Sequence, residues 1–241
     1  MRVRRTFAFI DLSGFTALTA SRGDEEAVDV LTMFRYAVRQ VCSRRAVRVA
    51  KWLGDGAMLV SVEPRPAVET VLELQHRART GSRPLAVRCG ISTGAVILLE
   101  GDDYIGHSVN VAARLGDLAE AHEILAVPEL VPSLPAWGAV LSGREVKVRG
   151  LDGVLSVACL GLAERSADSP TDPICGLPLG PDVAFARAVS AGATVLFCSE
   201  SCLDTWRNRT GAGDTRVVVD VVPEDDRGSS RHPSPIRPPA R

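Results

Sequence analysis

Strand-like and helix-like segments alternate through roughly the first 160 residues, and this alternation constrains the fold more than any other feature of the sequence. Apolar residues at helical spacing predict helices in DEEAVDVLTMFRYAVRQV, AVETVLELQHRA and SVNVAARLGDLAEA. The predicted strands are TFAFIDL, the hairpin AVRVAKWLGDGAMLVSVE with its GDG turn, two strands around a glycine-containing turn in LAVRCGISTGAVILLEG, and the late strands REVKVRG and VLSVACL. The mixture indicates an α+β sandwich in which helices cover one sheet.

The character of the chain changes near Glu164, so residues 1–163 are predicted to form one domain. The polar, proline-bearing run ERSADSPTDP predicts a linker over residues 164–171. A cysteine-containing module is expected over residues 172–212. A short strand, TRVVVDVV, and a disordered tail rich in proline and arginine are expected within residues 213–241.

Charge and hydropathy exclude several classes of partner. The formal net charge is −1, which gives no bulk attraction to nucleic acid or to an anionic membrane. No stretch approaches the roughly 18 apolar residues of a membrane span. The first apolar run is interrupted by Asp11 too early for a signal peptide. We therefore expect a cytoplasmic protein without nucleic-acid or membrane partners.

Two aspartates lie where strands are predicted to end. Asp11 closes the first strand, and Asp55 lies in the GDG turn of the hairpin, where glycines allow a sharp turn. Carboxylates at adjacent strand ends can hold a pair of magnesium ions, because hard cations prefer oxygen ligands. Two such ions, roughly 4 Å apart, would serve a phosphoryl displacement. Taken alone, Asp55 is equally consistent with a turn or capping role.

Further polar side chains lie near predicted loops and helix starts. Lys51 precedes Asp55 by four residues, and DYIGHSVNVAARL places Asn110 and Arg114 on one helical face. An Asn and an Arg there could hold a ribose and neutralise charge on a phosphate. A solvated lysine and an ordinary exposed Asn and Arg pair are the alternatives.

Together these motifs resemble the class III nucleotidyl cyclase family. FIDLSGFT is similar to its first metal motif, KWLGDG to its lysine and second-metal motif, and DYIGHSVNVAARL to its transition-state motif, in the family order over roughly residues 5 to 160. The resemblance implies a ferredoxin-like sandwich with a mostly antiparallel central sheet.

The resemblance also implies the metal site. Asp11 and Asp55 would bind two Mg²⁺ or Mn²⁺ ions, and the backbone carbonyl of Ile10 would be an additional ligand.

Nucleotide-binding residues follow from the same resemblance. Lys51 and Asp103 would read the purine edge, a combination associated with adenine. Asn110 would orient the ribose, Arg114 would stabilise charge on the α-phosphate, and Arg149 in VKVRG is a weaker candidate for the terminal phosphates.

The implied reaction is attack of the ribose 3′-oxygen of ATP on its own α-phosphorus, giving cyclic AMP and pyrophosphate. In the family one subunit supplies the metal aspartates and its mate supplies the other residues, so a homodimer is expected. The alternatives are a guanylate cyclase and a catalytically silent module with the cyclase fold.

A second resemblance concerns the cysteines. DPICGLPL and VLFCSESCLDTW are similar to the small YHS-type metal-binding module over residues 172–211. Cys175, Cys198 and Cys202 would suit Zn²⁺ or Cu⁺, with Asp172 or a water completing the shell. The module's signature tyrosine and histidine are not evident, so a degenerate module that folds without metal is the alternative.

Overall fold

The chain divides into two units, Met1–Glu164 and Arg165–Arg241. The computed structural model describes residues 1–81, 85–99, 103–150, 153–166, 168–190, 192–210 and the backbone of 220–221.

Eight strands, four α-helices and one 3-10 helix form the described part of the first unit. In chain order they are β1 (Arg2–Leu12), α1 (Phe15–Arg22), α2 (Asp24–Arg44), β2 (Arg48–Leu53), β3 (Gly56–Ser61), α3 (Pro64–Thr80), β4 (Val87–Leu98), β5 (Tyr104–Ile105), α4 (His107–Leu118), β6 (Ile124–Ala126), the 3-10 helix (Pro128–Ser133), β7 (Gly138–Val146) and β8 (Leu155–Leu162).

The strands form one sheet in the order β2-β3-β1-β4-β6-β8-β7, with β5 paired to β4. All pairs are antiparallel except that between β4 and β6. The predicted α+β class with a mostly antiparallel central sheet is therefore confirmed.

Strand β1 forms the centre of the core, because its alternate residues are buried on opposite faces of the sheet. Ala8 and Ile10 are buried on one face. On the other, Phe7 packs with Tyr104, at a ring-centroid distance of 5.2 Å, and with Ala112 of α4. Helix α3 contacts β1, β3 and β4.

The prediction of two strands in LAVRCGISTGAVILLEG is wrong, since β4 continues from Val87 to Leu98 without a turn. Gly94 and Gly90 lie inside the strand and allow α4 to approach its backbone closely. A Cβ on Gly94 would lie 2.0 Å from Ser108 Oγ, and one on Gly90 would lie 2.1 Å from the backbone nitrogen of Gly116. These glycines therefore allow α4 to pack closely on β4. The sequence pattern alone does not distinguish a glycine needed for packing from a glycine in a turn.

Other boundaries also differ from the sequence pattern. Helix α1 follows the left-handed Gly14 (φ 79°), where only a turn was expected. Strand β7 was predicted to span residues 144–150, but it runs from Gly138 to Val146 and leaves Arg149 in the following turn. Two short strands that the sequence pattern did not indicate, β5 and β6, both pair with β4. The partner of β6 is distant in the chain, since Ile124 pairs with Cys89.

A buried ion cluster joins α2 to α3. Glu73 is fully buried and pairs with Arg44, Arg45 and Arg77, with its Oε2 accepting from Arg45 Nε at 2.8 Å. Burial alone would raise the pKa of the Glu73 carboxyl, but the three arginines lower it below its ordinary value. Removing one charge would leave the others buried without full compensation, so the cluster fixes how the two helices pack.

The described part of the second unit is small. It contains β9 (Ala186–Ser190), β10 (Ala193–Phe197), α5 (Glu200–Thr210) and β11 (Asp220–Val221). The strands pair in the order β10-β9-β11. Only Asp220–Val221 of the predicted strand TRVVVDVV is described, and the predicted disordered tail lies outside the described residues.

Among the helices of the described residues, none is long and apolar enough to cross a membrane.

The close contact between β4 and α4 predicts that Gly90→Ala lowers the free energy of unfolding by about 3 kcal/mol, because the added methyl meets helix backbone that cannot move aside. Gly116→Ala is the matched control, since its Cβ would have no neighbour nearer than 3.4 Å and alanine favours the helix. Urea unfolding followed by circular dichroism measures both. Equal stability of the two variants would contradict this packing account.

Candidate active site

Asp11 lies at the carboxyl end of β1, between two neighbouring strands. Its register partners are Gly56 on β3 and Arg88 on β4. The Oδ2 atom of Asp11 accepts hydrogen bonds from Arg88 Nη2 at 2.7 Å and from Arg88 Nε at 3.1 Å. The Asp11 side chain is 29% exposed, so this carboxylate at a strand end is balanced by a guanidinium and is also open to solvent.

Asp55 lies beside Asp11, in the turn between β2 and β3. It directly precedes Gly56, the register partner of Asp11. Partial burial, followed by the negative charge of Asp11, raises the pKa of the Asp55 carboxyl, and Arg88 partly offsets this. The two carboxylates therefore repel each other, and a cation bound to both would relieve this repulsion.

Gly56 leaves space next to two oxygen atoms expected to bind metal. A Cβ at this position would lie 2.8 Å from the carbonyl oxygen of Ile10 and 2.9 Å from Oδ1 of Asp11. Any other residue would crowd both atoms. The two carboxylates, the Ile10 carbonyl and the open space at Gly56 form an oxygen-donor set that fits Mg²⁺ or Mn²⁺.

A cavity of about 280 Å³ opens beside these groups. Its walls come from β1, from the β2–β3 hairpin, from Arg88 on β4 and from one side of α4, and its lining residues are Phe9, Ile10, Asp11, Leu53, Gly56, Ala57, Arg88, Ala113, Gly116 and Asp117. Two acidic residues, Asp11 and Asp117, and the basic residue Arg88 therefore line the same space.

Arg88 is the cavity residue that the sequence analysis missed. It lies 77 positions from Asp11, and only the antiparallel register of β1 and β4 brings the two together. The available signal was a basic residue near the start of a predicted strand, in VRCGIS, and the sequence did not show which strand would lie beside it. In the cavity, Arg88 lies beside the carboxylates of Asp11 and Asp117, so an anionic group such as phosphate would need metal ions to bind there.

Lys51 and Asp103, predicted as a purine-reading pair, are in direct contact. Lys51 Nζ donates to Asp103 Oδ1 at 2.8 Å, and both side chains are about half exposed, at 48% and 46%. A β-bulge between Val49 and Lys51 shifts the register of the edge strand β2 and so changes the direction of the lysine. The hydrogen bond from Lys51, with a second from the Tyr104 backbone, lowers the pKa of Asp103.

Asn110 and Arg114 are exposed on α4 and do not line the cavity of their own chain. Arg114 Nη1 donates to Asp117 Oδ2 at 3.1 Å. Neighbouring helix positions, Ala113 and Gly116, face the cavity instead. Arg114 is therefore bonded to a lining residue, Asp117, without lining the cavity itself.

Arg149, the weaker candidate for phosphate binding, is exposed in the turn after β7. It is not among the residues that line the cavity. The structure thus brings Asp11, Asp55 and Ile10 into one group and Lys51 and Asp103 into another, and leaves Arg149 apart from the cavity.

The second unit contains its own cluster of potential ligands. Asp172, Cys175, Cys198 and Cys202 are all buried, and one ligand atom of each lies within 4.8 Å of those of the others. The Sγ atom of Cys198 lies 3.6 Å from that of Cys175 and 3.6 Å from that of Cys202. The burial of the Cys175 thiol raises its pKa above the ordinary value.

Asp172 joins the two cysteine-bearing segments through backbone contacts. Its Oδ1 accepts from the amides of Ile174 at 2.8 Å and Cys175 at 3.2 Å, and its Oδ2 accepts from the amide of Cys198 at 2.8 Å. Burial and the nearby Cys198 raise the pKa of Asp172 to about 6. This carboxyl group orients the cysteines whether or not it also ligates an ion.

Comparison with known proteins gives matches to the first unit. A Mycobacterium tuberculosis protein described as uncharacterized is 36% identical over 163 residues, which are 68% of this chain and 43% of the relative. A pH-sensitive adenylate cyclase of the same species is 32% identical over 120 residues, 50% of this chain and 30% of that protein. The chain therefore spans less than half of the length of these relatives.

The fold is also found in solved structures. The crystal structure of the guanylyl cyclase Cya2 superimposes with a TM-score of 0.58 at 22% identity and covers 69% of this chain and 96% of that one. The family model described as the adenylate and guanylate cyclase catalytic domain matches residues 4–156, which is well over half of the chain. The resemblance of the second unit to the YHS-type module stays a prediction. The cyclase resemblance is confirmed, and the chain belongs to the class III adenylate and guanylate cyclase family.

Proposed function

We propose that the first unit is the catalytic domain of an adenylate cyclase, which converts ATP to 3′,5′-cyclic AMP and pyrophosphate. The observation that carries the proposal is the convergence of Asp11 and Asp55 at neighbouring strand ends, beside a cavity that also contains Arg88. Asp11 and Arg88 line the cavity and Asp55 lies in the adjoining turn. Carboxylates with a guanidinium suit a triphosphate and its metal ions better than they suit a neutral ligand.

Asp11, Asp55 and the Ile10 carbonyl would hold two Mg²⁺ or Mn²⁺ ions. Such ions lower the pKa of a ribose 3′-hydroxyl and neutralise charge on the triphosphate. Arg88 is placed to hold a phosphate oxygen in the same cavity, and its bond to Asp11 keeps that carboxylate oriented. The protein thus contributes chiefly position and electrostatics to the reaction.

Adenine recognition is the proposed role of the Lys51 and Asp103 pair. The lysine ammonium can donate to a ring nitrogen, and the aspartate can accept from an exocyclic amino group, which adenine has at its 6-position and guanine does not. The pair is formed in advance, at 2.8 Å, so little order is lost when the purine binds. The name of the adenylate cyclase relative supports the same purine.

A homodimer would complete each site. Asn110 and Arg114 lie outside the cavity of their own chain, so we propose that they reach the cavity of a second copy. There, Asn110 would orient the ribose and Arg114 would stabilise the charge that develops on the α-phosphate. Two equivalent sites would form, because a two-fold symmetric interface contains each contact twice.

Two alternatives differ in their requirements. In a guanylate cyclase, Lys51 and Asp103 would have to form hydrogen bonds with the carbonyl and amino groups of guanine. A silent binding module would have no need of two mutually repelling carboxylates, since that arrangement costs stability unless cations bind.

Purine recognition gives a direct test. The purified chain is expected to form cyclic AMP from ATP. Asp103→Ala is expected to lower the ratio of kcat/KM for ATP to kcat/KM for GTP about tenfold or more. The reason is that a site that recognises a purine by a hydrogen bond loses its discrimination with that bond. Asp29→Ala, on the exposed face of α2, is the control and leaves the ratio unchanged. Product is measured with each nucleotide in Mg²⁺ and in Mn²⁺.

Cyclic GMP as the main product of the unaltered chain would overturn the adenine assignment. An absence of any cyclic product in either metal would favour the silent module. An unchanged ATP preference in Asp103→Ala would remove Asp103 from the purine site.

The second unit has a separate proposed role, metal binding at the buried cysteines. Three thiols and one carboxyl lie within 4.8 Å of one another, which is the compactness that a single ion requires. Sulfur donors favour Zn²⁺ or Cu⁺ over the hard ions of the catalytic unit. Burial disfavours the thiolate form of a cysteine. A bound ion would offset this cost, because the thiolate is the form that ligates metal.

Metal analysis tests this role. The purified chain is expected to retain about one Zn²⁺ or Cu⁺ per chain, and Cys202→Ser is expected to lose it because the variant lacks one of three thiolates. Cys159→Ser is the control, since Cys159 belongs to the sheet of the first unit and has no place in the cluster. Elemental analysis and thiol titration with and without chelator give the readout. Equal, substoichiometric metal in all three proteins would support a module that folds without an ion.

A further inference from the structure

The turn that carries Asp55 is tied to helix α2 by one side chain. Arg35 Nη2 donates a hydrogen bond to the backbone carbonyl of Gly54 at 3.0 Å. Gly54 has a left-handed backbone (φ 63°), which few side chains adopt, and Asp55 follows it directly. The arginine thus holds the residue on which the direction of Asp55 depends.

Trp52 fixes the arginine in place. The Arg35 guanidinium lies 5.2 Å from the Trp52 ring centroid, and Arg39, one helical turn later, lies 5.1 Å from the same ring. Both contacts are cation–π interactions within the usual range. Within the described part of the chain, Arg35 donates to the turn and Arg39 does not, so the two arginines share the ring contact and differ in the hydrogen bond.

The tie matters because the Asp55 turn is short and has a glycine on each side of the aspartate. Such a turn offers little resistance to a carboxylate that moves away from its neighbours. A hydrogen bond from a charged donor is among the stronger contacts available to a backbone carbonyl. Arg35 does not touch the cavity, so it acts on the turn and not on the substrate.

We propose that Arg35 is a positioning residue that holds the Gly54 and Asp55 turn ready to bind metal. This inference rests on the proposed two-metal site and deepens it. Residues that orient metal ligands typically contribute a factor of ten or more in metal affinity. Arg35 would do this from outside the cavity, by fixing the backbone on which the Asp55 carboxylate is mounted.

Metal binding in Arg35 variants tests the proposal without relying on activity. The full chain is titrated with Mn²⁺ in the presence of 3′-deoxy-ATP, which lacks the attacking hydroxyl, and free Mn²⁺ is followed by electron paramagnetic resonance. Arg35→Gln is expected to weaken Mn²⁺ binding about tenfold. Arg35→Lys, which keeps a cationic donor, is expected to recover part of that loss. Amide hydrogen exchange at residues 54–56 is expected to be faster in Arg35→Gln alone.

Arg39→Gln is the matched control, because it removes a guanidinium from the same tryptophan and leaves the bond to Gly54 intact. Equal Mn²⁺ affinity and equal exchange in the Arg35→Gln and Arg39→Gln proteins would overturn the positioning role while the two-metal site stands. If Asp55→Asn binds Mn²⁺ as tightly as the unaltered chain, the proposed metal site itself fails, whatever the arginine variants show.

Discussion

The register of β1 between β3 and β4 is the constraint on which the rest of the first unit depends. It sets Asp11 opposite Gly56 on one side and opposite Arg88 on the other, and so determines which groups share the cavity. A shift of one residue would turn every side chain of β1 to the other face of the sheet and would bury Asp11 without a partner. The different sizes of Phe7 and Ala8, which are buried on opposite faces, oppose this shift, because each face is packed around only one of them.

The carboxylates of Asp11 and Asp172 lose part of their hydration in the folded chain, and different contacts compensate for this in each case. Asp11 pairs with Arg88, is partly open to solvent, and lies near a second carboxylate that a cation would balance. Asp172 is almost fully buried and instead accepts three backbone amide hydrogen bonds. The first arrangement suits hard ions that bring phosphate with them, and the second orients sulfur donors for a softer ion.

Local patterns in the sequence were sufficient for the fold class and the family, and they were weaker for details that depend on distant contacts. The motifs around Asp11, Asp55 and Arg114 each lie within a few residues, so the family resemblance was readable and is confirmed. Gly94 was taken as a turn because the helix that packs against it, α4, follows later in the chain. Arg88 and Arg35 were missed for the same reason, since strand register and helix packing bring them to their partners.

The central claim is that Asp55 of one copy and Arg114 of another act on the same nucleotide. Asp55→Asn and Arg114→Ala, each inactive alone, can be co-expressed with different affinity tags, and the mixed dimer can be purified and assayed for cyclic AMP. The mixed dimer retains one intact site of two, so it is predicted to show about half the activity of the unaltered dimer. A purified mixed dimer as inactive as either variant alone, beside an active unaltered protein, would contradict the account.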